Sequence, residues 1–268
     1  TRNRAAVTFE NTIVAMERSG QLLTRASGVF YNLTSSNTNP ELEKLQAELA
    51  PKLSAHSDAI YLNPELFSRV NSLYQQRASL GLDAESQRLL ERYYTLFVRA
   101  GAELSEADKA HLRQMNEQLS TLTTQFSQTV LKGVNASAVV FDDVKDLDGL
   151  SPQQIATAAE AAKARKLEGK WVIALLNTTG QPSLSQLKNR ATRERIYKAS
   201  IARGWGGEFD TTGLIAQIVK LRAERAALLG YPNHAAYVLE DETALTPAAV
   251  NKIDRKSTRL NSSHANIS

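Results

Sequence analysis

The sequence predicts a mainly α-helical protein, an array of antiparallel helical hairpins with a small inserted β element at about residues 136–182. Ala, Leu, Gln, Glu and Arg are plentiful and aromatic residues make up only 6% of the 268 residues, a composition that favours helix. Apolar residues also recur at steps of three and four, as on one face of an amphipathic helix. The most regular of these stripes consists of Leu112, Met115, Leu119, Leu122, Phe126 and Val130.

Helix start and stop signals divide the first half of the chain. The first helical pattern covers residues 8–32 and is broken near Gly20. Pro40 opens the next segment, in which Pro51 is expected to end or kink the helix. Later helices are predicted to begin at side chains that cap helix N-termini, and one of them is expected to stop at Gly81. These start signals are Asn63 followed by Pro64, Asp83, and the capping-box-like pair Ser105 and Asp108.

The middle of the chain differs from both ends. The runs ASAVVFDDV (136–144) and KWVIALLN (170–177) are rich in β-branched and aromatic residues, which predicts two short strands. A helix opened by Ser151 and Pro152 should separate them. After Pro182 the chain returns to helices, predicted at 185–203, at 211–229, after Pro232 and after Thr246.

Composition excludes several classes of protein. The chain has no cysteine, so no disulfide stabilises it and a reducing, cytoplasmic location is expected. No apolar run approaches the roughly 20 residues that span a bilayer, and the first ten residues lack the apolar core of a signal peptide. The net charge is +4, from 32 basic and 28 acidic residues. It falls to +2 (29 minus 27) without residues 254–268, so neither a membrane nor a nucleic-acid partner is expected.

The histidines are the first candidates for metal or acid–base chemistry. None is followed by Glu and then by a second His four positions on, so the helical zinc motif HExxH is absent. His234 precedes Glu240 and Asp241 by six and seven residues, which would allow a His–carboxylate site. We favour an ordinary histidine at the start of a helix there. The four histidines are His56, His111, His234 and His264.

Two other segments raise functional alternatives. The glycine-rich run 204–213 matches neither the dinucleotide-binding nor the Walker-type phosphate motif, so we expect a connection between two helices. The segment 188–204 has six basic residues against one acidic residue and could form a backbone-contacting helix of a nucleic-acid protein. The alternative that we favour is that some of its arginines pair with acids elsewhere, such as residues 240–242, and that the rest are solvated.

Five stretches in order resemble the thimet-oligopeptidase-like family of zinc metallopeptidases, and within it the peptidyl-dipeptidase subtype. They cover nearly all of residues 8–253. The stretches are FENTIVAMERSGQLLTRASGVFYNL (9–33), DAIYLNPELFSRV (58–70), ESQRLLERYY (85–94), LNTTGQPSLSQLKNRATRERIY (176–197) and RAERAALLGYPNHAAYVLEDETA (222–244).

The resemblance implies a large helical cytoplasmic peptidase whose two halves enclose a channel for short peptides, and which releases dipeptides from peptide C-termini. In that family, HExxH and a downstream Glu hold zinc, and the Glu within the motif acts as general base. Those elements belong C-terminal to the matched region. The resemblance therefore places no catalytic, cofactor-binding or metal residue in this sequence, and zinc is expected in the full-length protein and not on this chain.

The resemblance also suggests a domain division. Residues 1–132 would be a helical channel wall and lid, 133–182 a small mixed insertion, and 183–253 a helical region leading towards the catalytic part. We expect a monomer that is an N-terminal portion of the peptidase, with short peptides as substrates of the complete enzyme. A stand-alone helical scaffold that binds peptides or a protein is the alternative.

The last segment, residues 254–268, is predicted to be non-biological. DRKSTRLNSSHANIS has no helical or strand period. Its reverse translation can be written as a sequencing-library adapter followed by an index. We therefore leave it out of the fold prediction, as an expression scar would be, and expect the natural reading frame to continue differently after Ile253.

Overall fold

The structure is a computed structural model that describes residues 5–178 and 180–255. It confirms the mainly helical prediction. A π-helical turn at Glu10–Val14 leads into the first α-helix, and 3-10 turns lie at Arg77–Ser79, Val144–Leu147 and Pro182–Ser185. The α-helices are α1 (Ala15–Glu17), α2 (Gln21–Ser36), α3 (Pro40–Tyr61), α4 (Pro64–Gln75), α5 (Ala84–Ala100), α6 (Glu106–Ala136), α7 (Pro152–Ala164), α8 (Arg190–Ile201), α9 (Thr212–Leu228) and α10 (His234–Leu239); residues 247–255 are also helical.

The chain divides into two compact units. Unit 1 comprises Thr1–Thr121 and Ile218–Ser268, and unit 2 comprises Leu122–Gln217. The helices α6 and α9 each contribute residues to both units. The predicted domain boundaries at 132/133 and 182/183 stay predictions, and most of the predicted tail, residues 256–268, lies outside the described residues.

In unit 1, capping side chains begin the helices, at Asn63 and Asp83 as predicted and also at Asn39, which was not predicted. The side chains of Asn39, Asn63 and Asp83 each accept a hydrogen bond from the backbone N–H three residues on, which satisfies a donor that the helix itself leaves unpaired. The Ser105 hydroxyl accepts from the Asp108 N–H at 3.1 Å. Gly20, with φ of 71°, separates α1 from α2, where the helical pattern was expected to break.

Two apolar clusters form the core of unit 1. The larger one joins the π-helical turn, α4 and α5, with aromatic rings packed around Phe97. The smaller one joins the end of α3 to α6, with half-buried leucines of α9 beside it. The buried members of the first cluster are Ile13, Val70, Leu73, Leu90, Phe97 and Ala102, and those of the second are Leu62, Leu112 and Met115.

Unit 2 contains the predicted β element. Strands β1 (Val139–Phe141) and β2 (Trp171–Ile173) pair antiparallel, with Val140 opposite Val172. The helix between them, α7, begins with a complete capping box between Ser151 and Gln154. The buried core of unit 2 lies between the two strands, α7 and α8. It consists of Val139, Phe141, Leu147, Leu150, Ala158, Leu175, Leu187 and Ile196.

Three helix bounds differ from the prediction. Helix α3 continues through Pro51 to Tyr61; proline removes one backbone hydrogen bond, but the next turns carry the buried residues Asp58 and Leu62. Helix α4 already ends at Gln75 and a 3-10 turn follows, although Gly81 does adopt φ of 64°. The predicted helix at 185–203 is shorter because Asn189 caps α8.

Each helix within residues 5–178 and 180–255 is too short or too polar to cross a bilayer.

Candidate functional site

In unit 1, ionisable side chains from several helices interact around helix α10. Helix α10 is held against α5 by two arginines, and α9 carries a third arginine beside it. Together with a carboxylate on α3 and an amide on α6, these side chains form what we call the arginine–tyrosine cluster. Its members are Asp58, Arg92, Arg99, Asn116, Arg225, Tyr231, His234, Tyr237, Glu240 and Asp241.

Arg99 makes the largest number of contacts in this cluster. Its guanidinium donates to the Tyr237 carbonyl at 2.7 Å and to the Glu240 carboxylate, and it lies 4.9 Å from the centre of the Tyr237 ring. The Arg99 side chain is only 13% exposed, whereas its partner Glu240 is 53% exposed, so the contacts with Tyr237 are better shielded from solvent than the ion pair with Glu240, which solvent partly screens.

The same ring also receives a second cation. The Arg225 guanidinium lies 5.3 Å from the Tyr237 ring centre, within the range of a cation–π interaction. One tyrosine of α10 therefore contacts arginines from both α5 and α9, and this contact positions α10 relative to both helices.

Two acidic residues that follow α10 complete the contacts with α5. Arg92 donates to Asp241, with 2.6 Å to Oδ2, and this hydrogen bond lowers the pKa of Asp241. Tyr231 donates its hydroxyl to Glu240. Burial, and then this hydrogen bond and the Glu240 charge, raise the pKa of Tyr231 to about 12, so the phenol stays protonated near neutral pH.

Asp58 is the buried carboxylate of the cluster, at 9% exposure. Its Oδ1 accepts from the Asn116 amide at 2.9 Å, and the Asn116 Oδ1 accepts from Arg225 at 3.2 Å. Burial raises the pKa of Asp58, while the Asn116 hydrogen bond and the charges of Arg113 and Arg225 act in the opposite direction. The other carboxylate oxygen of Asp58 has no hydrogen-bond partner.

His234 is the first residue of α10, and Asn233 caps that helix, as the favoured interpretation predicted. Its Nδ1 is buried without a partner. Burial and the nearby charges of Arg222 and Arg225 lower the pKa of His234, which keeps the imidazole neutral near neutral pH. The alternative His–carboxylate site is wrong, because Glu240 and Asp241 pair with Arg99 and Arg92.

The described histidines do not fit a zinc site. His56 and His111 are exposed, His234 lies near two cationic side chains that would repel a metal ion, and His264 lies outside the described residues. Within residues 5–178 and 180–255, no group of three or more His, Cys, Asp or Glu side chains is placed to hold a metal. The contacts of the arginine–tyrosine cluster order helices α5, α9 and α10.

In unit 2, the basic segment 188–204 mainly organises the backbone. Arg193 donates to the carbonyls of Leu187 and Lys188. Arg195 donates to the Val140 carbonyl at 2.7 Å and lies 4.6 Å from the Phe141 ring centre. The expected pairing with residues 240–242 is wrong; these arginines find backbone carbonyls because α8 packs beside β1 and the loop after β2.

Arg203 shows the same role at the other end of α8. Its guanidinium donates to the carbonyls of Leu176 and Thr178 at 2.6 and 2.8 Å. The buried side chain of Gln181 also makes two hydrogen bonds with the backbone of Leu176. Its amide oxygen accepts from the Leu176 N–H, and its amide N–H donates to the Leu176 carbonyl. A basic helix that binds a nucleic-acid backbone needs free cations on one face, and these arginines are used within the fold.

A shallow cleft of about 490 Å³ opens beside α8. It is lined by the end of α6 and the start of β1, with Arg195 and Lys198 at its side. Lys198 pairs with Glu194 at 2.6 Å, and Arg195 is bound to Val140. Both cations beside the cleft are therefore engaged in contacts within unit 2.

The glycine-rich segment connects α8 to α9, as predicted. Gly204, Gly206 and Gly207 all have φ near 72°, a conformation that glycine adopts without strain. Thr211 closes the loop, since its N–H and its hydroxyl both donate to the Gly204 carbonyl.

The link from Asp58 through Asn116 to Arg225 was not predicted from the sequence, and no functional residue was assigned there. One signal was available. Asp58 precedes the buried Leu62 by four residues, so it lies on the apolar face of α3. Its partners come from α6 and α9. Asn116 is 58 residues from Asp58 along the chain, and Arg225 is 109 residues from Asn116, so no local pattern predicts these contacts.

Comparison with known proteins identifies the class to which this fold belongs. The profile of peptidase family M3 matches residues 183–265. Together with the relatives below, this match shows that the chain is similar to proteins of peptidase family M3, a family of zinc metallopeptidases. The match includes residues 254–265 of the predicted tail, so the tail boundary stays a prediction.

Two relatives are both named dipeptidyl carboxypeptidase. The protein from Escherichia coli K12 is 46% identical over 242 residues, which is 90% of this chain and 36% of the relative. The one from Salmonella typhimurium LT2 is 46% identical over 91% of this chain and 36% of its own length. Oligopeptidase A of Escherichia coli K12 is 25% identical over 92% of the chain and 37% of the relative. The chain thus spans about a third of the length of these relatives.

Proposed function

We propose that this chain is a non-catalytic portion of a cytoplasmic zinc metallopeptidase that releases dipeptides from the C-termini of short peptides. Its helices would form part of the wall and lid of the peptide channel. The observation that supports this most strongly is the 46% identity over 242 residues to a dipeptidyl carboxypeptidase. At that identity, over nine-tenths of the chain, fold and role in the assembly are expected to be shared.

The proposal assigns zinc binding and catalysis to residues outside this chain. The described histidines are exposed or lie beside arginines, as described above. What the chain supplies is a positioned helical scaffold, in which Arg99 and Arg225 hold α10. A channel wall of this kind limits the size of the substrate and excludes water from the reaction.

The first test compares the purified chain with the E. coli dipeptidyl carboxypeptidase. Zinc content is measured by elemental analysis, and activity as dipeptide release from an N-terminally blocked tetrapeptide. We expect stoichiometric zinc and activity only in the full-length enzyme. Metal-dependent release of a C-terminal dipeptide by the chain alone would overturn the proposal.

The second test uses a chimera in which residues 8–253 replace the matching third of the E. coli enzyme. We expect this chimera to bind zinc and to release dipeptides, because the replaced part supplies the wall and not the catalytic groups. A folded, zinc-loaded chimera without peptidase activity would contradict the proposed role. High-affinity peptide binding by the isolated chain would instead support a stand-alone scaffold.

A further inference from the structure

Helix α2 of unit 1 has an apolar stripe that no described residue covers. Leu22, Ala26, Val29 and Leu33 follow one another at steps of four, three and four, which places them on one line along the helix. Leu22 is 75% exposed, Val29 64% and Leu33 42%. We call these four residues the α2 seam.

A different side of α2 is the side that is packed. The residues of α2 with intermediate exposure are Ser27, Phe30, Tyr31 and Thr34, which lie together about a third of a turn away from the seam. Helix α2 contacts α3, but none of its residues is buried. The helix is therefore attached by one side and presents the α2 seam on another.

The charge of α2 also differs from that of a solvated helix. Arg25 is the only charged residue among its 16 residues. Surface helices normally carry charged residues on the face opposite their apolar stripe, whereas the centres of protein interfaces are depleted of charge. Exposed leucines and the lack of charge are independent properties of α2, and both are typical of a surface that is covered in the assembled protein.

We infer that the α2 seam is a docking surface for another helix of the same metallopeptidase. That helix has an apolar stripe at three- and four-residue steps and few charges, and it comes from the part of the family M3 polypeptide outside the third that this chain matches. This inference rests on the proposed function. The relatives leave room for such a helix, because the matched region is only 36% of the E. coli protein.

A second copy of the chain is a poorer occupant. Helix α2 has 16 residues and is about 24 Å long, so the contact of one seam with another buries less than the roughly 800 Å² per partner of a standard stable interface. A helix of the same polypeptide needs no such area, because its effective concentration is high.

Hydrogen exchange on the isolated chain and on the 8–253 chimera tests the inference. We expect the amides of residues 21–36 to exchange at least about tenfold more slowly in the chimera, because the docked helix suppresses local opening of α2. Helix α7 serves as the internal control, since its core residues Ala158 and Ala162 are already buried in the isolated chain. Equal exchange of residues 21–36 in both proteins would overturn the inference.

A matched pair of variants locates the surface on the helix. Val29→Glu places a charge in the α2 seam, and Asn32→Glu places the same charge one turn later outside it. In the chimera, Val29→Glu should return residues 21–36 to fast exchange, and Asn32→Glu should not. If Val29→Glu prevents folding, Val29→Ser gives the milder test, with the same direction expected. Equal effects of both charges would count against the seam.

The outcomes separate this inference from the proposed function. An active chimera whose α2 stays unprotected refutes the docking surface and leaves the proposed function standing. A folded, inactive chimera with a protected α2 refutes the proposed role and supports the surface. Light scattering on the isolated chain tests the other occupant, and a dimer that Val29→Glu dissociates would overturn the inference in favour of a second copy.

Discussion

Helices α5 and α2 are nearly equal in length, with 17 and 16 residues, yet their environments differ. Helix α5 buries Leu90 and Phe97, and its other face carries five charged residues: Glu85, Arg88, Glu91, Arg92 and Arg99. Helix α2 buries no residue and carries one charge. Both faces of α5 are accounted for within this chain: its apolar face packs against partners, and its charged face is solvated or forms ion pairs. The exposed apolar face of α2 is accounted for only if another element covers it.

This difference teaches how to interpret an exposed apolar residue. Single exposed leucines are ordinary on soluble proteins. In α2 they form a line, and the charges that would compensate for them are missing. Exposure, spacing and charge together distinguish an apolar surface that a partner covers from single apolar residues that remain exposed to solvent.

The largest expected contrast between the two helices comes from truncating one apolar side chain in each. Phe97→Ala should lower the free energy of unfolding by about 3–5 kcal/mol, because Phe97 is fully buried against the rings of Tyr61 and Phe67. Val29→Ala should change it by less than about 0.5 kcal/mol. Urea unfolding of both variants measures the two values. A cost above about 1 kcal/mol for Val29→Ala would mean that α2 is already packed in the isolated chain.

A smaller contrast is expected from the charged residues. Arg99→Ala removes contacts to the Tyr237 carbonyl and to Glu240 and the cation–π contact with the Tyr237 ring. We expect a loss of about 1–3 kcal/mol. Arg25→Ala on α2 is the control and should leave the unfolding midpoint unchanged. If both variants melt like the parent chain, the arginine–tyrosine cluster does not hold α10.

The third contrast concerns pH and the buried carboxylate of α3. Burial raises the pKa of Asp58 above its ordinary value of 3.8, so the folded state holds this proton more tightly than the unfolded state does. Ionisation of Asp58 therefore lowers the free energy of unfolding. The loss occurs as pH rises from the pKa of Asp58 in the unfolded state through its pKa in the folded state. Asp58→Asn keeps an acceptor for Asn116 and carries no charge, so its stability relative to the parent chain should rise with pH across that window.

Unfolding free energies at a series of pH values from 3 upward would measure this effect. Glu160→Gln, on the exposed surface of α7, is the control and should follow the parent profile. A constant difference between Asp58→Asn and the parent at every pH would show that the charge of Asp58 is fully compensated by Arg113 and Arg225.

Much of the helical framework was predictable because its causes are local. Asn63, Asp83 and Ser151 cap the helices that their positions suggested, since a cap bonds to an N–H only three residues away. The pairing of β1 with β2 agrees with the two β-rich runs. Pro51 does not end α3, for a reason that is not local, and the alternative of a kink there stays a prediction. Its local cost is real, but α3 continues because the turns beyond it pack Asp58 and Leu62 into the core.

The sequence by itself determined most helix starts, the two strands and the family that the chain resembles, because caps, apolar periodicity and sequence identity all depend on the order of residues along the chain. Only the tertiary structure decided which charges meet. Arg225 reaches Asn116 from 109 residues away, and two arginines from different helices share the ring of Tyr237. Electrostatic and packing energies depend on distance in space and on burial, and neither quantity is contained in the order of residues along the chain.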